Sequence, residues 1–311
     1  MAHIAICIPV YNEESNISRL YSRIAATIDA IDDHSFSIVF ADNCSTDNTF
    51  ALIRSLAAAD SRVGYIKNIS NFGFVRSSSN VLLAPNADAN IFMMADLQDP
   101  PELISKLVDQ WSNTTSQVVF AVRSSTRENP ILFFFKKVYY KLLSVLSDYP
   151  MVRDTTGFGI YDKSVIQALR QSADSYPFIK GLVCAIGFQW STVPYVSADR
   201  KAGKSSASLS FLIDFGVLGI VTASRKPMRI MTLLGFGLGS FSLALSIVVL
   251  ATKLLYWDSF QFGLAMLSTA LLLFSGILLF SLGVIGEYIG FINQRSMKLP
   301  LVVEALRRNV R

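Results

Sequence analysis

The chain has 311 residues, 51% of them hydrophobic and 16% charged, and carries a formal net charge of +5. It is too apolar for an ordinary soluble protein, while its first two thirds hold too much charge for a chain embedded throughout in a membrane. The excess of Lys and Arg sits partly beside long apolar runs, which points to anionic lipid as the basic partner surface and away from nucleic acid.

Apolar runs of strand type occur at residues 3–10, 36–42, 62–67, 90–96 and 117–123, with helical patterns at 14–30, 47–59 and 101–111 between them. This alternation predicts an α/β fold, a mostly parallel sheet covered by helices on both faces. Such sheets bind ligands outside the carboxyl ends of their strands. The polar segments fall there: "PVYNEE" after the first strand, "DNCSTDNT" after the second, "ADLQD" after the fourth and Arg123 after the fifth. The serines of "RSSSN" (76–80) read as loop or weak helix. GxGxxG, GxxxxGK[ST] and HExxH are all absent, which argues against dinucleotide oxidoreductases, P-loop enzymes and zincins. Cys7, Cys44 and Cys184 are scattered without CxxC spacing, as free thiols are.

Asp96 ends the apolar run "NIFMMAD", where an unpaired buried carboxylate would be costly and a cation would relieve it. Mg²⁺ or Mn²⁺ suits the place, because such an ion takes one or two protein carboxylates and completes its shell with phosphate oxygen and water. Gln98 offers a neutral oxygen two residues on. Asp99 opens "DPPE", the pattern of an acidic helix cap with Pro100 at the first helical position and Glu102 completing a capping box. Asp42 and Glu13 face the same crevice as acceptors for a base N–H or ribose hydroxyls. Helix capping, the competing role, accounts for Asp47 well and for Asp42 poorly.

Residues 130–147, which include Lys136, Lys137 and Lys141, and residues 207–223 read either as core helices or as helices lying among lipid headgroups. Residues 230–252 and 259–286 contain no charge and are apolar on every face; each run exceeds the roughly 20 residues needed to cross a bilayer. The chain therefore divides into a catalytic domain at 1–206, a juxtamembrane amphipathic segment at 207–229, spans at 230–252 and 262–285, and a C-terminal tail at 286–311. Arg225, Lys226 and Arg229 precede the spans and Arg295, Lys298, Arg307, Arg308 and Arg311 follow them, with Lys253 alone between. The positive-inside rule then places the catalytic domain and both termini in the cytoplasm, on a multi-pass protein of the inner membrane. The first residues lack the basic n-region of a signal peptide. Gly235, Gly237, Gly239, Gly276, Gly283 and Gly286 permit close helix packing or homo-oligomers.

The segments "IPVYNEE", "ADNCSTDNT", "NFG" (71–73), "ADLQDPPELI", "TGFGIYDK" (156–163), "PFIKGL" (177–182), "VPYVSADRKAGKSS" (193–206) and "GEYIG" (286–290) follow in order. As a set they resemble the family-2 glycosyltransferases of the GT-A fold, specifically the membrane-anchored polyprenyl-phosphate enzymes that include bactoprenol glucosyltransferases and dolichyl-phosphate mannose synthases. The resemblance implies inverting transfer of a sugar, glucose first, from a nucleotide-diphosphate sugar, UDP first, to a polyprenyl phosphate such as undecaprenyl phosphate. It assigns Asp96 and Gln98 to the metal and diphosphate, and Pro9, Tyr11, Glu13 and Asp42 to the nucleotide. Arg123, Arg200 and the "AGKS" loop match the region where the family handles phosphate groups; together with Lys201, Lys204 and Lys137 they are the cations that would hold the acceptor phosphate.

The chain departs from that pattern at several positions. Met94 replaces the first Asp of Asp-x-Asp, and "TGFG" replaces "GDFR", so Gly157 stands for a carboxylate often treated as the base and Gly159 for an arginine. Phe74 replaces the Lys of "NFGK", and Phe291 and Leu299 replace basic residues. Asp154 is the nearest substitute base. A phosphate monoester with nearly two negative charges is already a nucleophile, so loss of the base is tolerable. Two alternatives stand beside this reading: a processive polysaccharide synthase, against which the lack of QxxRW and the small number of spans count, and a catalytically inactive membrane-bound nucleotide-sugar-binding partner subunit.

Overall fold

The computed structural model describes residues 1–125, 147, 149–150, 152, 154–172, 177–196, 226–255, 264–296 and 299–310, with the side chains inside the last two helices described in part. Lys136, Lys137, Lys141, Arg200, Lys201, Lys204 and the two expected headgroup helices lie outside these residues.

The elements in chain order are β1 (His3–Val10), α1 (Glu14–Ile28), β2 (Ser35–Asp42), α2 (Thr49–Ala59), β3 (Val63–Asn68), α3 (Phe74–Leu83), β4 (Ala89–Phe92), α4 (Leu103–Asn113), β5 (Val118–Ser125), β6 (Gly159–Asp162), α5 (Lys163–Gln171), α6 (Ile179–Ile186), β7 (Trp190–Val196), α7 (Lys226–Leu255), α8 (Leu264–Ser296) and β8 (Glu304–Arg308). One sheet runs β7-β5-β6-β4-β1-β2-β3-β8. β1 pairs in parallel with both β2 and β4, while β6 and β8 run antiparallel to their neighbours.

Side-chain alternation decides which helices cover which face. Ile4, Ile6, Ile8 and Val10 of β1 pack with Ile17 and Leu20 of α1, Ile53 of α2 and Leu107 of α4. Ala5 and Cys7, on the opposite face, pack with Val81 of α3, Val165 of α5 and Val183 of α6. A strand buried on both faces must be apolar at nearly every position, which is why β1 reads as a continuous hydrophobic run. The serines of α3 are core-facing: Ser77, Ser78 and Ser79 are buried, and their small side chains let the helix lie close to the sheet.

The expected fourth strand, 90–96, is shorter than its hydrophobicity suggests. Pairing with β1 ends at Cys7 with Phe92, and Met93 N donates to Cys7 O at 3.2 Å before the chain turns away. Met93 and Ala95 stay buried although they lie past the end of β4, so Asp96 stands in a turn beyond the strand.

The stretch read as a C-terminal tail, 286–311, supplies the end of α8 and the edge strand β8. Arg76 of α3 holds the segment before β8: its Nε donates to Leu301 O at 2.8 Å and its Nη2 to Pro300 O at 2.6 Å. Opposite β8, a side chain on Gly64 would run into the carbonyl oxygen of Asn309.

The two expected spans fall on α7 and α8, of 30 and 33 residues. Among the described residues taken alone, no helix is long and apolar enough to cross a membrane. The described apolar side chains of both helices nonetheless point outward: Leu233 is 71% exposed, Phe236 76% and Leu279 67%. Gly235, Gly237, Gly276, Gly283 and Gly286 have open space where a side chain would stand.

Gly64→Val should displace β8. The expected result is new tryptic cleavage at Arg307 and Arg308 and a loss of roughly 1–3 kcal/mol, the usual cost of overpacking, read from thermal unfolding.

Candidate functional site

The sheet winds outward in two directions from the seam between β1 and β4, and the loops leaving these strands diverge to open a crevice at their carboxyl ends. On one side of it, the loops after β1 and β2 are stitched together. Asn12, at φ 54°, donates its amide to Ser45 Oγ at 2.9 Å and accepts from Thr46 N at 2.8 Å. Glu13 N donates to Thr49 Oγ1 at 2.8 Å, and Asn48 N to Glu14 Oε2 at 2.9 Å. Asp47, read as a helix cap, lies one residue before the N-cap position, which Asn48 holds without a side-chain cap bond; it accepts from Thr49 N at 3.0 Å and from Glu14 N at 3.3 Å, and Asn12 serves as a cross-loop brace.

Asp42 closes β2 and is fully buried. Its Oδ1 accepts from Ser45 N at 3.1 Å, and its Oδ2 has no hydrogen-bond partner among the described residues. A buried acceptor without a donor is costly and marks a place where a ligand N–H or O–H would bind. Pro9 lies beneath this wall and Tyr11 at its rim, 41% exposed. Asn43, the next residue, was missed by sequence reasoning. Its Oδ1 accepts from Phe72 N and from Asn68 Nδ2, both at 3.0 Å, and its Nδ2 donates to Asn71 Oδ1 at 2.7 Å, which fixes the "NFG" turn beside Asp42.

On the other side stand Asp96, Gln98 and Asp99, in a turn strained by Leu97 at φ 61°. Asp96 is half-buried and its Oδ1 accepts from Gln98 N at 3.2 Å. Asp99 is not the expected cap. No side chain caps α4; Leu103 N bonds Pro100 O, and Glu102 turns away to pair with Arg23 at 2.6 Å. Asp99 is fully buried and accepts from Tyr195 OH, from Arg123 Nη2 at 3.3 Å and from Thr156 Oγ1 at 3.2 Å.

Arg123 and Tyr195 are register partners on the parallel strands β5 and β7, and Arg123 Nε donates to Tyr195 OH at 3.1 Å. Arg123 Nη2 also reaches Gln98 Oε1 at 3.3 Å. Burial pushes the Asp99 carboxyl above its ordinary range; the bond from Tyr195 and the charge of Arg123 oppose this, while the charge of Asp96 adds to it. Burial and then Asp99 hold the Tyr195 phenol well above its usual value. Tyr195 and Thr156 carried no signal of their own in the sequence, since only strand pairing brings them to Asp99.

Asp154 lies in the left-handed region at φ 55°, half-exposed, with its carbonyl accepting from Arg123 N at 3.0 Å. The structure thus brings Asp96, Gln98, Arg123 and the Asp154 backbone together, with the loops bearing Glu13 and Asp42 across the crevice. Gly159 has a steric reason: a side chain there would strike the carbonyl oxygen of Val119 on β5, so no arginine fits.

Among the described residues no cluster of three or more His, Cys, Asp or Glu could hold a metal. One half-buried carboxylate and a neutral amide oxygen that also accepts from Arg123 fit the partial donor set of a hard divalent ion that brings its remaining oxygens with a phosphate ligand.

The Glycosyl transferase family 2 profile matches residues 5–170. The uncharacterized glycosyltransferase YkcC of Bacillus subtilis is 33% identical over 303 residues, 96% of this chain and 92% of that protein. The bactoprenol glucosyl transferase of Shigella phage SfV is 28% identical over 298 residues, 96% of each chain. Among solved structures, glucosyl-3-phosphoglycerate synthase from Mycobacterium tuberculosis, in complex with Mn²⁺, UDP-glucose and phosphoglyceric acid, superposes with a TM-score of 0.51 at 18% identity. That match covers 71% of this chain and 78% of the other, a likeness of fold alone.

Asp99→Ala would leave Arg123 largely buried without its counter-charge and should cost about 3–5 kcal/mol in thermal unfolding, the usual penalty for breaking a buried pair. Tyr195→Phe should cost about 1 kcal/mol, as one lost hydrogen bond. A loss of only about 1 kcal/mol for Asp99→Ala would restore the capping role.

Proposed function

The chain belongs to glycosyl transferase family 2, and on that premise we propose that it moves a hexose, glucose first, from a UDP-sugar to a membrane polyprenyl phosphate of the undecaprenyl type. The observation that carries this reading is the span of the likeness to bactoprenol glucosyl transferases. It runs over 96% of both chains for the phage SfV protein, so it takes in the two long C-terminal helices as well as the nucleotide-binding sheet. The UDP donor draws support from the Mycobacterium synthase of the same fold, and from Asp42 Oδ2, a buried acceptor suited to a uracil N–H or a ribose hydroxyl.

Membrane anchoring follows from the same reading. Helices of 30 and 33 residues rise about 45–50 Å, and their outward apolar side chains need a cover that hydrocarbon supplies. The catalytic domain then sits on the cytoplasmic face, with the basic flanks of both helices toward it.

In the reaction, an acceptor phosphate oxygen attacks the anomeric carbon as the bond to the nucleoside diphosphate breaks on the opposite side, inverting the centre. Asp42 and the Asn43-braced turn hold the nucleotide, and Pro9, Tyr11 and Glu13 shape its bed. Asp96, with Gln98, would hold a divalent ion, which when bound neutralises charge on the departing diphosphate. Arg123, oriented by Asp99 and Tyr195, faces the incoming phosphate; fixed positive charge at the reacting centre is the main catalytic contribution of such a site. No residue has to remove a proton from a phosphate that is already ionised.

Membranes containing the protein, given radiolabelled UDP-glucose and undecaprenyl phosphate, should yield labelled lipid. EDTA or Asp96→Ala should lower that yield by at least about 100-fold. Full transfer in EDTA would sink the metal assignment. Nucleotide binding without any transfer would favour the inactive-partner reading that Met94 and Gly157 raise. The protein should also stay with the bilayer in alkaline carbonate, and tags on both termini should be cleaved by protease only in opened vesicles; cleavage in intact right-side-out vesicles would reverse the orientation.

A further inference from the structure

A cavity of about 70 Å³ lies between α3, α6 and the start of β6, walled by Phe74, Ser78, Leu82, Phe92, Gly157 and Phe178, with Lys180 also lining it. It has room for several waters, each needing roughly 10–15 Å³, and so for a branched five-carbon unit. Two of its walls are positions where this chain departs from the family pattern by losing a charge, Phe74 for a lysine and Gly157 for a carboxylate. Both exchanges make the same cavity more apolar. A sugar ring would need several hydrogen-bonding partners here, but the hydroxyls of Ser79, Thr156 and Tyr161 in the lining already donate to Val75 O, Asp99 Oδ2 and Gly157 O, which leaves Ser78 Oγ, buried and without a partner among the described residues. A hydrocarbon makes no such demand.

The cavity also adjoins the phosphate-facing arginine. The segment 154–157 runs between Arg123, whose amide donates to Asp154 O at 3.0 Å, and Lys180, whose Nζ donates to Thr155 O at 3.4 Å and stands 5.3 Å from the Phe178 ring centroid. An apolar chamber with an ammonium among its walls and a guanidinium across one short segment is complementary to the head of a prenyl phosphate. We propose that this cavity receives the first isoprene unit of the acceptor lipid, and that Lys180 pairs with the lipid's phosphate from the side opposite Arg123; this rests on the prenyl-phosphate acceptor argued above.

The test is titration of the detergent-solubilised full chain with farnesyl phosphate, and separately with UDP-glucose. Ser78→Phe, which fills the cavity, and Lys180→Met should each weaken farnesyl phosphate binding at least about tenfold, with Lys180→Arg close to wild type and UDP-glucose affinity unchanged in all three. Absence of farnesyl phosphate binding to the wild type, unchanged binding in Ser78→Phe, or loss of UDP-glucose binding in its place would overturn the proposal, the last by placing the sugar in the cavity. Should Ser78→Phe fail to fold, Lys180→Met decides, together with the rate of maleimide labelling of Ser78→Cys, read by mass spectrometry, which farnesyl phosphate should slow and UDP-glucose should not. These readouts need no turnover, so a chain that binds farnesyl phosphate but transfers nothing would refute the reaction and leave the cavity assignment standing.

Discussion

A parallel sheet buried on both faces tolerates almost no charge within its strands, and this constraint organises the whole catalytic domain. Each strand must return through a helix to start again on the same side, so all carboxyl ends of the parallel strands share one edge. Polar side chains excluded from the interior collect there. Those that remain buried are either matched, as Asp99 is by Arg123, Tyr195 and Thr156, or partly unmatched, as Asp42 is at Oδ2. The first arrangement fixes a cation; the second leaves an acceptor for a ligand. Both follow from the cost of an unpaired polar atom in a dry sheet.

The central strands were legible because burial on both faces writes itself into the sequence as uninterrupted apolar runs. β8 was not, since "EALRR" is an edge strand whose side chains are mostly exposed and whose pairing partner β3 lies more than two hundred residues earlier. The serine-rich α3 concealed itself for a related reason, as a helix pressed close to a sheet uses small side chains that resemble loop composition. At Asp99 the local pattern pointed the wrong way. "DPPE" satisfies a capping box, but Arg23, 79 residues distant in sequence, takes Glu102, and strands β5 and β7 bring Asp99 its real partners. Candidate residues at strand ends could be named one by one; those defined by contact across the sheet, Tyr195 and Thr156 among them, could not.

The lost charges of this chain do not all have one cause. Gly159 is glycine because β5 passes too close for any side chain. At Gly157, by contrast, an added Cβ would meet Phe92 at an ordinary 3.7 Å, and the obstacle is its backbone at φ 97°, which a side chain rarely adopts. Loss of a carboxylate there is therefore tied to a local change of backbone shape as well as to the chemistry of the cavity it lines. Among the described residues, the half-buried carboxylate of Asp96 faces the crevice beside the guanidinium of Arg123, which Asp99 and Tyr195 hold in place. This composition suits a nucleophile that arrives already charged better than one that must be deprotonated.

The return of the chain to the sheet after α8 bears on how such a site could meet a lipid. α7 starts at the domain, where Lys226 Nζ donates to Ser147 O at 3.1 Å, and the chain after α8 is gripped by Arg76 and then paired with β3. A helical pair secured to the same body at both ends is held to it more closely than a flexible linker would allow. Arg76 also lies 5.0 Å from the ring centroid of Phe72, whose amide is held by Asn43 next to Asp42. The segment after α8 and the loop beside Asp42 are thus joined through hydrogen bonds of Arg76 and Asn43 and one cation–ring contact between Arg76 and Phe72. If the acceptor is the lipid phosphate proposed above, a body fixed relative to its helices would bring attacking oxygen and anomeric carbon to reacting distance without a search, and the edge strand β8 would then serve the catalytic geometry from outside the crevice.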